Sequence, residues 1–378
     1  MRKVMTILGT RPELIKMSRV IAALDQCFDH VLVHTGQNFD HQLNAVFYQE
    51  LGIREPDHYL DAAGQTAVET IANVMLKVDA LLESERPDAV MIYGDTNSGL
   101  ACIPAKRRKI PIFHMEAGNR CFDARVPEEI NRKIIDHTSD INLVLTEHAR
   151  RYLLAEAFPA DRLFKVGSHM PEVIAYAMPG IERSDVLQRL NLAKGQYFLV
   201  SAHREENVDD PARLQRLLDA LAKLHAQYGC PVLVSTHPRT RARLESLGQG
   251  SQLAGVTFAP PFGFLDYMRL QIDAFCVVSD SGTISEEAAL LGLPAVTIRD
   301  AHERPEGQDA GAVVVTSSDP AQLVDAVRVA RLTHDARAGD LGRVPDYEGG
   351  QVSAKVARIV SGYIDYVNRT VWRKDVAL

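Results

Sequence analysis

Cysteine is scarce and scattered: Cys27, Cys102, Cys121, Cys230 and Cys276 are odd in number and share no CxxC or Cys/His spacing. That excludes a disulfide framework and a zinc site of the usual pattern, and leaves reduced thiols in a cytoplasmic setting as the expectation. Basic charge is not in excess, with 42 Lys and Arg against 49 Asp and Glu and a net charge of −7. Nucleic acid is therefore not an expected partner, and any phosphate-bearing ligand must be held by a local cluster. No apolar run approaches the roughly 18 residues needed to cross a bilayer. The opening MRKVMTILGTRPE lacks the apolar stretch and cleavage site of a signal peptide, so no membrane partner is expected. Neither GxGxxG nor GxxxxGK followed by Ser or Thr occurs, which argues against an ordinary dinucleotide site and a P-loop NTPase. His, Asp and Glu at metal-ligand spacing are missing as well, so neither a metal nor a cofactor is expected.

What is present is alternation. A chain of 378 residues has length for about two domains, each with its own core. Apolar runs at Val4–Leu8, His30–His34, Ala89–Tyr93, Ile110–His114 and Ile141–Leu145 read as strands separated by helical stretches. The pattern resumes after Gly180 with Tyr197–Ala202, Pro231–Thr236, Val256–Ala259, Ala274–Ser279, Ala295–Ile298 and Ala312–Val315. Alternating β and α elements imply parallel sheets covered by helices, here two doubly wound α/β domains. The boundary is expected between Gly167 and Gly180, giving an N-terminal domain over 1–170 and a C-terminal domain over 171–351. The amphipathic segment from Val352 has length to pack back on the first domain. Two such domains would leave an interdomain cleft at their carboxyl edges, where α/β sheets bind ligands.

The densest chemistry lies between Tyr93 and Arg132, in YGDTNS, FHMEAGNR and VPEEINR. Asp95, Glu116 and Glu128 each follow an apolar strand or a proline there, which suggests proton transfer on a small molecule. Blander readings stand beside this one. Asp95 would serve equally as an N-cap on the next helix, and Glu128 and Glu129 as first-turn acids in the helix dipole. Glu116, directly after IPIFHM, is harder to explain structurally, because an acid there would be poorly solvated. GTRPE at Gly9–Glu13 and SDSGTISEE at Ser279–Glu287 are strand–turn–helix junctions whose amides suit a phosphate, or else ordinary turns. Arg11 and Lys16 near the first, and Arg299 and Arg304 after the second, would supply positive charge. SAHREEN brings His203 and Arg204 to a strand end, STHPRTR brings His237 and Arg239, and PPFGFLDY carries Phe262 and Tyr267, rings that stack on a base or simply pack.

With these motifs assembled, the chain resembles the non-hydrolysing UDP-N-acetylglucosamine 2-epimerase family over nearly its whole length. GTRPE with Lys16, GDT at Gly94–Thr96, MEAG at Met115–Gly118 and PEEINR at Pro127–Arg132 look like the N-terminal signatures. SAHREEN, SDSG with SEE, and RDAHERPE at Arg299–Glu306 look like the C-terminal ones. The resemblance implies two Rossmann-like domains of GT-B-like architecture, UDP in the cleft, a homodimer, and neither NAD nor metal. Asp95, Glu116 and Glu128 would be the acid/base carboxylates, His203 would lie by the diphosphate, and Arg11 and Lys16 would line the cleft. Ser281 and Gly282, with Thr283, would hold phosphate at the helix start. Glu287 would take the ribose hydroxyls, Arg304 would complete the pocket, and Phe262 and Tyr267 would flank uracil.

The implied reaction explains the several acids. The C2 hydrogen of a nucleotide sugar has no adjacent carbonyl, so its direct removal and return would be slow. Expelling UDP from C1 as the proton leaves C2 makes the step an elimination, with 2-acetamidoglucal as intermediate and UDP returning after reprotonation on the other face. Three segments depart from the commoner family pattern: TGQNFDHQLN at Thr35–Asn44, GNR at Gly118–Arg120 and GSHMPEV at Gly167–Val173. There the chain is more similar to the branch acting on modified sugars such as UDP-2,3-diacetamido-2,3-dideoxyglucuronate, and the first departure implies no activation by substrate. A UDP-sugar glycosyltransferase of the same architecture is the alternative reading, and a non-catalytic UDP-sugar sensor a third.

Overall fold

The structure, a computed structural model, describes residues 1–37, 41–246, 253–299, 304–336 and 341–374, without the side chains of 41–45, 205, 206, 238 and 239. Asn38 to Asp40 of TGQNFDHQLN and residues 300–303 of RDAHERPE lie outside the described residues, as does the side chain of Arg239. The chain divides into two compact units, Met1–Ala177 with Pro345–Leu378, and Met178–Val344.

The first unit holds seven strands: β1 (Lys3–Leu8), β2 (Asp29–His34), β3 (His58–Tyr59), β4 (Ala89–Tyr93), β5 (Ile112–Met115), β6 (Ile141–Val144) and β7 (Leu163–Lys165). All pair in parallel, in the order β3-β2-β1-β4-β5-β6-β7. The central strands β4, β5 and β6 are buried at every residue, as expected where helices cover both faces of a parallel sheet. The second unit repeats the winding with β8 (Phe198–Ser201), β9 (Val232–Ser235), β10 (Val256–Ala259), β11 (Cys276–Ser279), β12 (Ala295–Thr297) and β13 (Val314–Val315). Their order is β10-β9-β8-β11-β12-β13, again wholly parallel. Each sheet therefore reverses its winding beside its first strand, between β1 and β4 and between β8 and β11, the point where α/β sheets open a crevice for ligands.

Every strand expected from the sequence is present, with ends shifted by a residue or two. The edge strands β3 and β7 were not expected. With two and three residues and mixed exposure, they carry no apolar run to read. Alternation decides the second core: Phe198, Val200, Val232, Val234, Cys276 and Val278 face Leu217, Leu221, Leu323 and Val327, whereas Leu199, Leu233 and Val277 face Leu270, Ile284 and Ala288. The first core packs Met5, Ile7, Val31, Val33, Val90 and Ile92 against Val74, Val78 and Leu82 of helix Ala67–Glu85.

Helix Arg11–Cys27 starts with Pro12 in its first turn and buries Leu14, Met17, Val20, Ile21 and Leu24 at helical spacing. The closing helix Val352–Thr370 lays Val356, Val360, Ile364 and Val367 along it, and Arg2 Nη2 bonds Asp365 Oδ1 at 2.6 Å nearby. The division between units falls inside helix Met170–Arg183, after Ala177, and Met170, Val173, Ile174 and Ala177 are buried.

Gly118 ends the turn after β5 with a φ of +81°, and a Cβ there would stand 2.6 Å from the Ala149 carbonyl oxygen. Backbone cannot move aside cheaply, so Gly118→Ala should cost about 1–3 kcal/mol. A thermal midpoint equal to that of the parent protein would show that this turn yields.

Candidate active site

In the first unit, three carboxylates come from the carboxyl ends of neighbouring strands. Glu116 follows β5 and adopts a φ of +62°, a left-handed conformation that costs a non-glycine residue energy and must be held by its surroundings. Its Oε2 accepts from Lys16 Nζ at 2.8 Å and from the Tyr93 hydroxyl, with Glu116 and Lys16 side chains only 10 % and 8 % exposed. Tyr93 ends β4, and its hydroxyl also lies 3.0 Å from His169 Nε2.

Asp95 follows β4 but is not an N-cap: Thr96 precedes the short 3-10 turn Asn97–Ala101, and the Asp95 carboxylate takes Arg132 Nη2 at 2.6 Å and Nε at 3.1 Å. Arg132 lies on helix Pro127–Thr138, as does Asn131, whose Nδ2 bonds the Asp95 carbonyl at 3.0 Å. Of the two acids after Pro127, it is Glu129 that joins this network. Glu129 is fully buried, accepts from the Cys121 and Phe122 amides at 3.0 and 3.2 Å, and pairs with Arg132 Nη1 at 2.9 Å. Burial alone would raise its pKa, but the Cys121 amide and the Arg132 charge outweigh burial and hold it below the usual carboxylate range. Glu128, the acid carried over by the motif, is exposed in the first turn of the same helix.

Glu13 is the third carboxylate, and the sequence reading passed over it. It accepts from the Gly9 amide at 2.6 Å, the Thr10 amide at 3.0 Å and the Thr96 hydroxyl at 2.6 Å, tying the turn after β1 to the turn after β4. Desolvation pushes it up to about 7, further than these three donors bring it down. The available signal was the capping-box spacing of Thr10 and Glu13. Arg11 sits with its guanidinium 5.7 Å from the Phe47 ring centroid.

A buried frame fixes these turns. His114 Nδ1 meets Asp136 Oδ1 at 2.9 Å and its Nε2 meets the Gly94 carbonyl at 2.7 Å. Asp136 also accepts from the Gly118 amide at 3.2 Å and from Arg120 Nη1 at 2.7 Å. The GNR tripeptide thus anchors the far side of the Glu116 turn, and His114 the near side.

In the second unit, Asp280 after β11 is fully buried and accepts from the His203 and Arg204 amides at 3.0 Å each and from Asn207 Nδ2 at 3.0 Å. His203 Nδ1 lies 3.2 Å from Asp280 Oδ1, while its side chain stays 41 % exposed. Asp280, unnoticed in the sequence, sets this histidine. Ser281 and Thr283 hydroxyls lie 3.0 Å apart at the start of helix Ile284–Leu291, with Gly282 between them. Glu287 Oε2 accepts from Gln271 Nε2 at 2.6 Å, and burial beside Glu287 pushes the Tyr267 phenol up. Phe262 and Tyr267 are partly buried against the core. Arg304 Nη1 donates to buried Glu286 Oε2 at 2.5 Å. Arg299 is buried too. Among the described residues no cluster of His, Cys, Asp and Glu could hold a metal ion, and no helix is long and apolar enough to cross a membrane. All five cysteines are free.

Two parallel sheets of Rossmann winding, one edged with carboxylates and the other with hydroxyls and a buried aspartate, define a two-unit α/β protein of GT-B-like type. A family model described as UDP-N-acetylglucosamine 2-epimerase matches residues 22–361, and the chain belongs to that family of isomerases. It is similar to the UDP-N-acetylglucosamine 2-epimerase structure from Rickettsia bellii, with 55% identity, a TM-score of 0.91, and 99% of this chain and 100% of that one covered. The Methanocaldococcus jannaschii UDP-GlcNAc 2-epimerase, solved in complex with UDP-GlcNAc and UDP, is 31% identical at a TM-score of 0.87, covering 95% and 99%. The UDP-2,3-diacetamido-2,3-dideoxy-D-glucuronate 2-epimerase of Pseudomonas aeruginosa is 34% identical over 365 residues, 95% of this chain and 99% of its own. Nothing among these relatives favours the glycosyltransferase reading.

The raised Glu13 has a consequence for stability. Its pKa of about 7 in the fold exceeds the usual unfolded value, so its contribution is complete at acid pH and is lost as pH climbs from about 4.5 to about 7. The full loss is on the order of 3 kcal/mol. Glu13→Gln carries a constant cost instead, so its stability relative to the parent should improve across that window. A pH-independent difference in unfolding midpoint would rule out the raised carboxyl.

Proposed function

We propose that this enzyme inverts C2 of a UDP-2-acetamido sugar by eliminating UDP and adding it back. The observation that carries the reading is the set of unlike carboxylates on adjacent strand ends: Glu116 on Lys16 and Tyr93, Asp95 on Arg132, and desolvated Glu13 on the other side of Asp95, bonded to Thr96. Acids in contrasting environments are what a reaction needs when one group takes a proton and another returns one.

In the forward direction a carboxylate takes the C2 proton, the C–H electrons form the C1–C2 double bond, and the C1–O bond breaks so that UDP leaves with its electron pair. In the return, a diphosphate oxygen adds to C1 of the 2-acetamidoglucal and a second carboxyl group protonates C2 on the opposite face. Asp95, Glu116 and Glu128 are the acid/base groups of this scheme, with Lys16 and Arg11 offsetting the negative charge that develops. The second unit supplies the nucleotide contacts. The Ser281–Gly282–Thr283 helix start and His203 take the diphosphate, Glu287 the ribose, Phe262 and Tyr267 the uracil, and Arg304 braces the pocket through Glu286.

The substrate is UDP-GlcNAc or a modified UDP-sugar such as the 2,3-diacetamido-2,3-dideoxyglucuronate, and comparing turnover on the two separates them. No metal or nicotinamide is invoked. The working form is a cytoplasmic homodimer. Phe122, Ile130 and Ile134, which are 71%, 53% and 37% exposed, offer apolar surface for a second copy.

In D₂O the enzyme should place deuterium at C2 of a UDP-sugar with no acceptor present, whereas a transferase should not. Glu116→Gln should abolish that exchange while UDP affinity stays near that of the parent, and a large loss of UDP binding would contradict its role at the sugar. Glu287→Ala should weaken UDP about tenfold or more, the usual loss for a hydrogen bond to a charged group. An unchanged dissociation constant in calorimetry would remove Glu287 from the ribose.

A further inference from the structure

The GSHMPEV segment departs from the commoner family pattern, and the scheme above gives it no task. Its His169 is fully buried at the start of helix Met170–Arg183, and Nε2 lies 3.0 Å from the Tyr93 hydroxyl. The two rings meet edge to face with centroids 5.3 Å apart. That same hydroxyl bonds Glu116 Oε2, and Tyr93 is itself only 3% exposed. Glu116, Tyr93 and His169 therefore form one hydrogen-bonded row leading inward, away from water.

A phenol carries one proton, so between two partners it donates to one and accepts from the other. Two arrangements of this row are chemically complete. In the first, imidazolium Nε2–H donates to the phenol oxygen and the phenol donates to the Glu116 carboxylate. In the second, protonated Glu116 donates to the phenol oxygen and the phenol donates to neutral Nε2. Passing between them breaks one N–H and one phenolic O–H bond and forms a new phenolic O–H and a carboxyl O–H bond, with no other reactant. The Lys16 ammonium on the same carboxylate has no lone pair to accept a proton, so it cannot play this part.

Two-face inversion creates the need. After each turnover one carboxyl group has gained a proton and the other has lost one, so both must be reset before the next.

We propose that Tyr93 and His169 are positioning residues that hold the proton Glu116 exchanges with the sugar while the glycal is bound, its release to solvent between turnovers restoring both carboxyl groups. This rests on the proton-transfer role proposed above for Glu116. Ionisable groups on the elements packed here include Lys16 and Arg19 on helix Arg11–Cys27, Glu172 and Tyr176 on the histidine's own helix, and Lys355 on the closing helix. Each has contacts of its own: Arg19 lies over the Tyr176 ring, Glu172 accepts from the Ser353 amide, and Lys355 donates to the Val166 carbonyl.

The test measures kcat and KM against pH for the parent, His169→Asn, Tyr93→Phe and the double variant, with whichever of the two UDP-sugars the parent turns over faster. His169→Asn should lower kcat on the order of 10²-fold, the usual contribution of one proton-transfer group, with KM within about twofold. One limb of the kcat–pH profile should disappear. Tyr93→Phe keeps the ring, removes both hydrogen bonds, and should give the same profile even if His169→Asn folds poorly. The double variant should be no slower than Tyr93→Phe alone, because either change breaks the same row. A parental pH profile in Tyr93→Phe, or losses that multiply in the double variant, overturns the proposal and leaves His169 a packing residue. Glu116→Gln, run alongside, separates the two readings. If it is inactive while Tyr93→Phe keeps the parental profile, only the storage role fails, whereas if it is active the role of Glu116 itself fails.

Discussion

The ion pair between Lys16 and Glu116 is the contact on which the first unit's site depends. Both side chains are nearly dry, and removing an ammonium and a carboxylate from water costs more than their mutual attraction returns unless further hydrogen bonds are made. Tyr93 supplies one of those bonds, and the left-handed backbone of Glu116 brings the carboxylate to both donors. That backbone is in turn braced by Gly118, whose amide is held on Asp136, and by His114, which links Asp136 to the Gly94 carbonyl. The turn after β4, carrying Asp95, and the turn after β5, carrying Glu116, are thus fixed by one buried frame. A change in any part of it moves two acids together.

Much of this was legible in the sequence, for identifiable reasons. The doubly wound sheets follow from apolar runs such as Ala89–Tyr93, which need no polar face because helices cover both sides. Glu116 was legible because an acid directly after a buried strand has no easy structural excuse. What could not be read is partnership. Asp95 looked like a helix cap, and only the arrival of Arg132 from a helix 37 residues on makes it half of an ion pair. Glu128 and Glu129 are indistinguishable by spacing, yet the turn of the helix sends Glu129 to the Cys121 amide and leaves its neighbour exposed. Arg304 looked available until Glu286 claimed one of its nitrogens. The deciding partner is 37 residues away for Asp95 and 18 for Arg304, while for Glu129 it is an amide that a turn brings back, and composition carries no record of any of them.

The two sheets share one winding but use a buried carboxylate at the switch point in opposite senses. In the first, Glu13 reaches from the turn after β1 to Thr96 in the turn after β4. In the second, Asp280 reaches from the turn after β11 back to the His203 and Arg204 amides after β8. Either cross-link joins the two turns that flank the crevice, so the stitch is common to both units while its donor strand is exchanged.

That exchange accounts for the different chemistry of the two edges. Where the stitch comes from the β1 side, the acid after β4 is spared, and Asp95 is bound by a side-chain guanidinium instead of by backbone amides. Where it comes from the β11 side, Asp280 is bound by the chain's own amides, and the hydroxyl pair Ser281 and Thr283 and an exposed His203 lie at that edge. Carboxylates suit proton transfer and repel a diphosphate, whereas hydroxyls, backbone amides and an imidazole that can carry positive charge suit a diphosphate. A repeated fold therefore yields one edge of carboxylates and one of hydroxyls and an imidazole, and the two differ in which of two turns donates the buried carboxylate.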